Sequence, residues 1–455
     1  MFERVYVISL ANRPERLVAF QERLPKDWPF LQPVLYPGVD GRLATHPVWW
    51  NGGAGGWGCF RSHIRIFEDC LHDGVESVLI CEDDATFSPD FTEKVNAFLK
   101  HLPDDWCMIF IGGQHIQQEQ RLPRKINDWV YQPYNVNRCH CYAFRGRKTL
   151  ESVYQFVMNF PEWRQPHHID HRLGELHKQS PKGLYCPREW LSGQSSGLSD
   201  ICFKDLELRE FAGAEALCYP NVALEGIAIL GSFGCGASTV TGVLSHLGIP
   251  IGTQLPQTKE KQGEEKEVQG EENTKASPKK IYSTFEDGIL GNYCRHSFAE
   301  PWLDEIATAE DRINHLRHWA GIQSQNHSTT SRFFAGKHPI LSLMGKELLE
   351  AWNDPLFISV DRPIAECCDV IAQTPWRWHP RAVKHAIEKQ CHMRDRFFEE
   401  YSPRFLRISF KRFLFSPEKS IQEICDFVAH TPSPQQLDST LSFVTEQKNG
   451  VDPCL

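Results

Sequence analysis

Along the chain, short apolar runs bounded by turn residues alternate with segments whose apolar positions recur every three or four residues. That alternation predicts α/β architecture throughout. Val5 to Leu10 reads as the first strand. Pro14 to Leu24 reads as a helix, with proline in its first turn and Leu17, Phe20 and Leu24 on one face. Ser77 to Cys81 has the character of a buried strand and ends at Glu82-Asp83-Asp84, and Cys107 to Ile111 is another, ending at Gly112-Gly113. A new α/β pattern starts near residues 215–222, where the apolar strand Gly226 to Leu230 runs into a glycine-rich turn. A helix follows, with Val240, Val243, Leu244 and Leu247 at helical spacing. Two domains are expected, 1–215 and 222–455. Residues 257–280 are Lys, Glu, Gln and Gly with almost nothing to bury, which predicts a disordered insertion in the second domain.

Composition narrows the class. The 455 residues are 41% apolar and 24% charged, as in a globular protein, and the net charge of -9 with no dominant basic tract argues against nucleic acid as the main partner. The first ten residues lack the basic start and cleavage site of a signal peptide. No apolar run is long enough to cross a bilayer. A cytoplasmic protein is expected, and peripheral association with the inner face of a membrane fits the same composition. The 16 cysteines follow no framework. Cys139 and Cys141 flank His140, but no second pair at metal-ligand spacing accompanies them, so reduced thiols are expected.

The acidic triplet is the first candidate for chemistry. A hydrophobic strand delivers three carboxylates at its C-terminal end, where open α/β sheets bind ligands. Hard divalent cations take oxygen ligands, and such an ion can neutralise a diphosphate leaving group. Alternate residues of an extended segment point the same way, so Glu82 and Asp84 are expected to share one metal face. An acidic turn after a strand is the competing reading.

The surroundings favour the first reading. In order come Arg13-Pro-Glu-Arg16, Val39-Asp-Gly41, a glycine-rich stretch from Asn51 leading into Gly58-Cys-Phe-Arg-Ser-His63, and the triplet strand. Trp106 to Gly113, Cys141-Tyr-Ala-Phe144, His168-Ile-Asp-His171 and Pro187 to Asp200 follow. This series resembles glycosyltransferase family 25, which includes lipooligosaccharide and collagen galactosyltransferases. The resemblance implies a GT-A fold, a nucleotide-sugar donor (usually a UDP-hexose), inversion at the anomeric carbon, and a glycan or lipid-linked glycan acceptor. It places Ser9, Arg13 and Arg16 near the donor nucleotide. Asp83 would contact the donor diphosphate, with Glu82 and Asp84 holding Mn²⁺ or Mg²⁺. Ser62 and His63 would begin a helix beside that site, His63 acting either in catalysis or only as a cap. Asp170 is the expected general base on the acceptor side, with a helix N-cap as the alternative. His167, His168 and His171 offer only one helical i, i+4 pair, His167 with His171.

The glycine-rich turn is the second candidate. Gly231-Ser-Phe-Gly234-Cys-Gly236-Ala-Ser238 lies between strand and helix, where backbone amides and the helix dipole make an anion site. Ala237 stands where a Walker loop needs lysine. A tight structural turn is the alternative. The segment, together with Gly336-Lys337-His-Pro, Phe357 to Pro363 and Arg407 to Phe410, resembles the sulfotransferase family and its loop for phosphoadenosine phosphosulfate. Three departures accompany the likeness. Gly234 replaces the loop's basic residue, Arg362 directly precedes Pro363, and Asp369 or Val370 replaces a serine. Lys337 is the expected substitute cation, and Arg362 either grips a 3′-phosphate or forms a surface ion pair.

The expectation is therefore a GT-A-type nucleotide-sugar-binding domain followed by a P-loop, sulfotransferase-like α/β domain. Together they would move a galactose or glucose to a surface glycan or lipooligosaccharide. The alternatives are a second half that only binds a nucleotide or partner, and a non-catalytic scaffold.

Overall fold

The computed structural model describes residues 2–48, 50–159, 168–198, 205–206, 211–252, 285–374 and 378–450. The insertion expected at 257–280 and His167 lie outside them. The chain divides into two compact units, Met1–Tyr219 and Pro220–Leu455.

The first unit runs in chain order β1 (Arg4–Ser9), α1 (Pro14–Arg23), β2 (Val34–Pro37), α2 (Gly53–Asp73), β3 (Ser77–Glu82), β4 (Ala85–Phe87), α3 (Phe91–Lys100), β5 (Met108–His115), β6 (Arg124–Lys125) and β7 (Val130–Gln132). It continues with β8 (Val136–Arg145), α4 (Arg147–Met158), α5 (Ile169–Gln179), β9 (Leu184–Pro187), β10 (Ser192–Gln194), β11 (Gly197–Leu198), β12 (Asp205–Leu206) and α6 (Ala214–Cys218). The sheet order is β2-β1-β3-β8-β5-β9-β7-β6. β1 is parallel to both β2 and β3, so three carboxyl ends share one edge, and β8 runs antiparallel between β3 and β5.

The central strands read as unbroken apolar runs because both faces are covered. In β3, Val78 and Ile80 pack with Phe60, Ile64 and Phe67 of α2, while Leu79 and Cys81 pack with Phe20 of α1 and Val95 and Phe98 of α3. Met108 and Phe110 of β5 follow the first set, and Ile109 and Ile111 the second. Each such side chain contributes about 1.5–3 kcal/mol on leaving water. The sheet is therefore a rigid platform with its polar groups at the strand ends.

The second unit contains β13 (Glu225–Leu230), α7 (Ala237–His246), α8 (Gly288–Ser297), the β14–β15 ribbon (Phe298–Ala299 and Asp304–Glu305) and α9 (Ala309–His327). After these come β16 (Phe333–Lys337), α10 (Gly345–Ala351), β17 (Asn353–Asp361), α11 (Ile364–Ala372), α12 (Pro380–Tyr401), β18 (Phe405–Ser409), α13 (Phe410–Phe415), α14 (Pro417–Phe427) and α15 (Pro434–Gly450). Its four-stranded sheet, β16-β13-β17-β18, is parallel throughout and lies within one hydrophobic core. The glycine-rich turn leaves the carboxyl end of β13. Residue Lys337 closes the neighbouring β16, in register with Ile229.

One local expectation is corrected. The glycine-rich stretch before Ser62 is helical from Gly53 onward, not a loop leading to a helix at Ser62. Its glycines are there for close approach. A Cβ on Gly58 would lie 2.3 Å from the Val39 carbonyl oxygen, and one on Gly41 would lie 1.7 Å from that of Ala54. Packing of the 38–42 loop against α2 outweighs the poor helix propensity of glycine.

Candidate functional site

A cavity of about 300 Å³ opens at the carboxyl ends of β1, β2 and β3. Its wall includes Ser9, Arg13, Arg16, Asp40, Arg42, Cys59, His63 and the whole triplet Glu82-Asp83-Asp84. Expected donor-side and metal-side residues of the first half thus meet in one place.

The triplet does not continue as an extended strand. Asp83 and Asp84 form a turn into β4, and each carboxylate is held differently. Asp83 accepts from the Ser9 hydroxyl at 2.7 Å and pairs with Arg16 at 2.7 Å. Asp84 pairs with the same guanidinium at 3.1 Å and accepts from the Gln194 amide at 3.0 Å. The Arg23 guanidinium donates to the Asp83 carbonyl at 2.7 Å and to that of Ala85 at 3.1 Å, which fixes the turn. Glu82 faces the helix instead, 3.1 Å from His63 Nε2 and 3.8 Å from Cys59 Sγ.

Burial governs the electrostatics. It pushes the Asp83 carboxyl up to about 6 despite the opposing charge of Arg16 and the Ser9 hydrogen bond. It also raises Asp84, helped by the negative charge of Glu82. Burial acts upward on Glu82 too, but the hydrogen bond and charge of His63, with His140 and Arg16, outweigh it and hold that carboxyl below its ordinary value.

Gly58 lets the 38–42 loop approach, and the Ser62 hydroxyl accepts from the Val39 amide at 2.8 Å while donating to the Gly58 carbonyl at 2.7 Å. His63 is 1% exposed and bridges Tyr142 and Glu82, so it is not a helix-start cap. Arg13 is the N-cap residue of α1, and its Nε donates to Glu15 at 2.7 Å.

Asp170 does not line the cavity. It lies in the first turn of α5, whose N-cap is His168, so it is not the N-cap either. Its carboxylate accepts from the amides of His171 at 2.9 Å and Arg138 at 3.4 Å. Arg138 has φ +74°, and Asp170 supports that left-handed kink in β8. Two residues missed by the sequence reading come close to the triplet. Cys59 stands one helical turn before His63, and His140, 1% exposed, feels the charges of Asp84 and Glu82. Burial outweighs those charges and holds the His140 imidazole below its ordinary value.

In the second unit, Gly231, Gly234, Gly236 and Ser238 all belong to the turn or to the start of α7. Gly234 and Gly236 take φ +75° and +95°, and a Cβ on Gly236 would enter the Phe410 ring at 2.3 Å. The nominated cations are already engaged. Lys337 Nζ donates to Glu286 Oε1 at 2.6 Å. Arg362 donates to the Gly234 carbonyl at 3.4 Å, pairs with Glu366 at 3.2 Å and lies over the Phe410 ring. A cavity of about 510 Å³ beside this edge is lined by Phe233, Glu286, Arg295, Glu300, His338, Pro339 and Trp378.

With this geometry in view, the comparisons with known proteins bear on the first unit. Residues 53–157 match glycosyltransferase family 25 (LPS biosynthesis protein). Procollagen galactosyltransferase 1 of Danio rerio is 32% identical over 171 residues, covering 36% of this chain and 25% of that protein. The inactive glycosyltransferase 25 family member 3 of Homo sapiens is 26% identical over 140 residues, covering 26% of this chain and 23% of its own. The chain thus spans about a quarter of the length of these curated relatives. A sulfotransferase structure from Mycobacterium tuberculosis aligns with 50% of this chain and 78% of its own, at 14% identity and TM-score 0.33. Among the described residues, no helix is long and apolar enough to cross a membrane.

Proposed function

We propose that the first unit is a glycosyltransferase that moves a hexose from a nucleotide diphosphate sugar to a glycan acceptor. The observation that carries this reading is the mixed charge of the cavity, where three carboxylates and Arg13, Arg16 and Arg42 converge at the ends of three parallel strands. A sugar diphosphate bound with a cation needs both signs of charge. A divalent cation fits the donor set, because among the described residues Asp84 Oδ1 is buried without a partner and burial raises both Asp83 and Asp84. Glu82 and Asp84 would hold it, with Asp83 beside the diphosphate. When bound, such an ion supplies Lewis-acid stabilisation of the leaving phosphate. The protein's own part is orientation. Arg16 ties Asp83 to Asp84, Ser9 and Arg23 fix the turn, and the 38–42 loop brings Asp40 and Arg42 to the cavity wall. The likeness to a procollagen galactosyltransferase favours galactose as the sugar, and the family's lipopolysaccharide-biosynthesis description favours a lipopolysaccharide acceptor.

The decisive test is incubation with a panel of nucleotide sugars and Mn²⁺, scoring donor hydrolysis. Turnover of one donor, lost in EDTA and reduced at least a hundredfold in Asp84→Asn, is expected. Full activity in EDTA would remove the metal from this reading. Binding without any turnover would place the chain beside its inactive relative.

The second unit is proposed as a nucleotide-binding module more than a sulfotransferase. This reading is supported by the engagement of Lys337 and Arg362 with protein groups, while the glycine turn keeps its helix N-terminus.

A further inference from the structure

Cys59 and His63 are four residues apart on α2, so their side chains rise from the same face of one helix, and Glu82 meets them from the end of β3. Cys59 Sγ, a His63 ring nitrogen and a Glu82 carboxylate oxygen all lie within 4.8 Å of one another. The individual separations are 3.1 Å from His63 Nε2 to Glu82 Oε1 and 3.8 Å from Cys59 Sγ to the same oxygen. Tetrahedral zinc with Zn–N and Zn–O bonds of about 2.0–2.2 Å and a Zn–S bond of about 2.3 Å sets its ligand atoms roughly 3.3–3.7 Å apart. Two of the three separations therefore stand near the spacing of ligands around an ion that size, and the third is within 4.8 Å.

The environment is that of a ligand set with an open position. All three residues line the cavity, so a fourth ligand can come from solvent or from a molecule bound there. The other nitrogen of His63, Nδ1, is 2.7 Å from the Tyr142 hydroxyl, and both residues are buried. That contact fixes the ring's orientation in the way outer partners of metal-bound histidines do. A thiolate and an imidazole discriminate against Mg²⁺ and Mn²⁺ and in favour of Zn²⁺-like ions.

We propose that Cys59, His63 and Glu82 form a three-ligand transition-metal site of the zinc class, chemically distinct from the all-oxygen site expected for the cation of a sugar diphosphate. On binding, the Cys59 thiol proton leaves to solvent as the sulfur–metal bond forms. The His63 proton resides on Nδ1, where the Tyr142 oxygen accepts it, freeing Nε2 for the ion. Glu82 is then shared between the two sets: its Oε1 completes the zinc-class site, and its second oxygen, with Asp84, remains for the hard cation. Loading the site needs no nucleotide sugar, so its failure and the failure of the glycosyltransferase reading are distinguishable.

The full chain, reduced and stripped of metal, is titrated with Co²⁺ alone while near-ultraviolet thiolate-to-cobalt absorption is recorded. Zn²⁺ is then added as competitor. One equivalent producing that absorption, displaced by Zn²⁺ but not by an equal amount of Mn²⁺, is expected. Cys59→Ser should abolish the band, Tyr142→Phe should weaken Co²⁺ binding about tenfold, and Asp84→Asn should leave the band intact. Circular dichroism and melting of each variant verify folding. Because the chain carries 16 cysteines, a band that survives Cys59→Ser assigns the metal elsewhere and overturns the proposal. Absence of the band in the unaltered chain reduces the trio to a hydrogen-bonded cluster.

Discussion

Arg16 pairs with Asp83 at 2.7 Å and with Asp84 at 3.1 Å, so one guanidinium compensates two of the three carboxylates that follow β3. Both carboxylates are mostly buried, and the charge of Asp84 raises the cost of ionising Asp83 while that of Glu82 raises the cost for Asp84. Removing the cation leaves two adjacent negative charges with little water. Arg16→Gln should therefore destabilise the chain by about 1–3 kcal/mol, below the range for fully buried pairs because Arg16 is partly exposed. Millimolar Mn²⁺ should recover part of that loss in the mutant and stabilise the unaltered chain less. Differential scanning fluorimetry across a Mn²⁺ series reads both. Equal stabilisation of the two proteins would mean that Arg16 and the cation do not share these carboxylates.

Gly41 and Gly58 meet where the 38–42 loop crosses α2, and neither has space for a methyl group. Gly58→Ala drives a Cβ toward the Val39 carbonyl and the Gly41 amide, so backbone must move, at a cost of about 1–3 kcal/mol. The same movement displaces Asp40 and Arg42 from the cavity wall. Calorimetric affinity for UDP should fall at least tenfold at a temperature where the variant is still folded. An unchanged affinity would show that this loop does not contact the nucleotide.

These glycines also mark where the sequence stops being legible. β3 and β5 were readable because apolar residues on both faces leave an unbroken run, and the triplet's place at a strand end follows from that run. The start of α2 was not readable. Five glycines in eight residues predict a loop, and only the partner backbone at Val39–Gly41 shows why a helix tolerates them. With the helix start misplaced, the i, i+4 relation of Cys59 and His63 is hidden. Asp170 follows a family pattern, but one of its hydrogen bonds is to Arg138, whose left-handed backbone is a tertiary feature with no local signal.

His115 and His177 are both buried, and burial pushes each imidazole down to about 3 from an ordinary value of 6.5. The unfolded chain therefore binds protons that the folded one does not, and stability rises with pH in this window. The contribution is complete above about pH 6.5 and is lost as pH falls toward 3, on the order of 2 kcal/mol for each residue by pH 5. Among the described residues, neither ring nitrogen of His115 has a partner, and the ring stacks on Trp190 at 4.6 Å. His115→Phe should therefore keep or raise stability at pH 7 and flatten the decline toward pH 5. Urea midpoints at the two pH values test this. A variant with the same slope as the unaltered chain would mean that His115 does not contribute to acid unfolding.

Lys337 and Glu286 decide what the second unit can bind. The ammonium is 6% exposed and donates to a carboxylate that is itself only 25% exposed, at 2.6 Å. Burial pushes the Glu286 carboxyl upward, but the charges of Lys337 and His338 outweigh it and hold that carboxyl below its ordinary value. The lysine is thus neutralised within the fold, although it ends β16 at the same sheet edge as the glycine turn after β13. Glu286→Gln removes the competing charge and leaves a buried ammonium in need of an anion. Adenosine 3′,5′-bisphosphate should then bind about tenfold more tightly, equivalent to roughly 1.4 kcal/mol, with a lower melting temperature in the ligand-free protein. Lys337→Ala should weaken binding below that of the unaltered chain. Gly236→Ala, which forces a Cβ into Phe410 at φ +95°, should abolish it if the turn's amides hold the phosphate. Calorimetry on the four proteins separates the cases. Binding that ignores Glu286 and Lys337 but needs Gly236 leaves the turn as the anion site without the lysine. Binding indifferent to all three changes would put the nucleotide elsewhere on the chain.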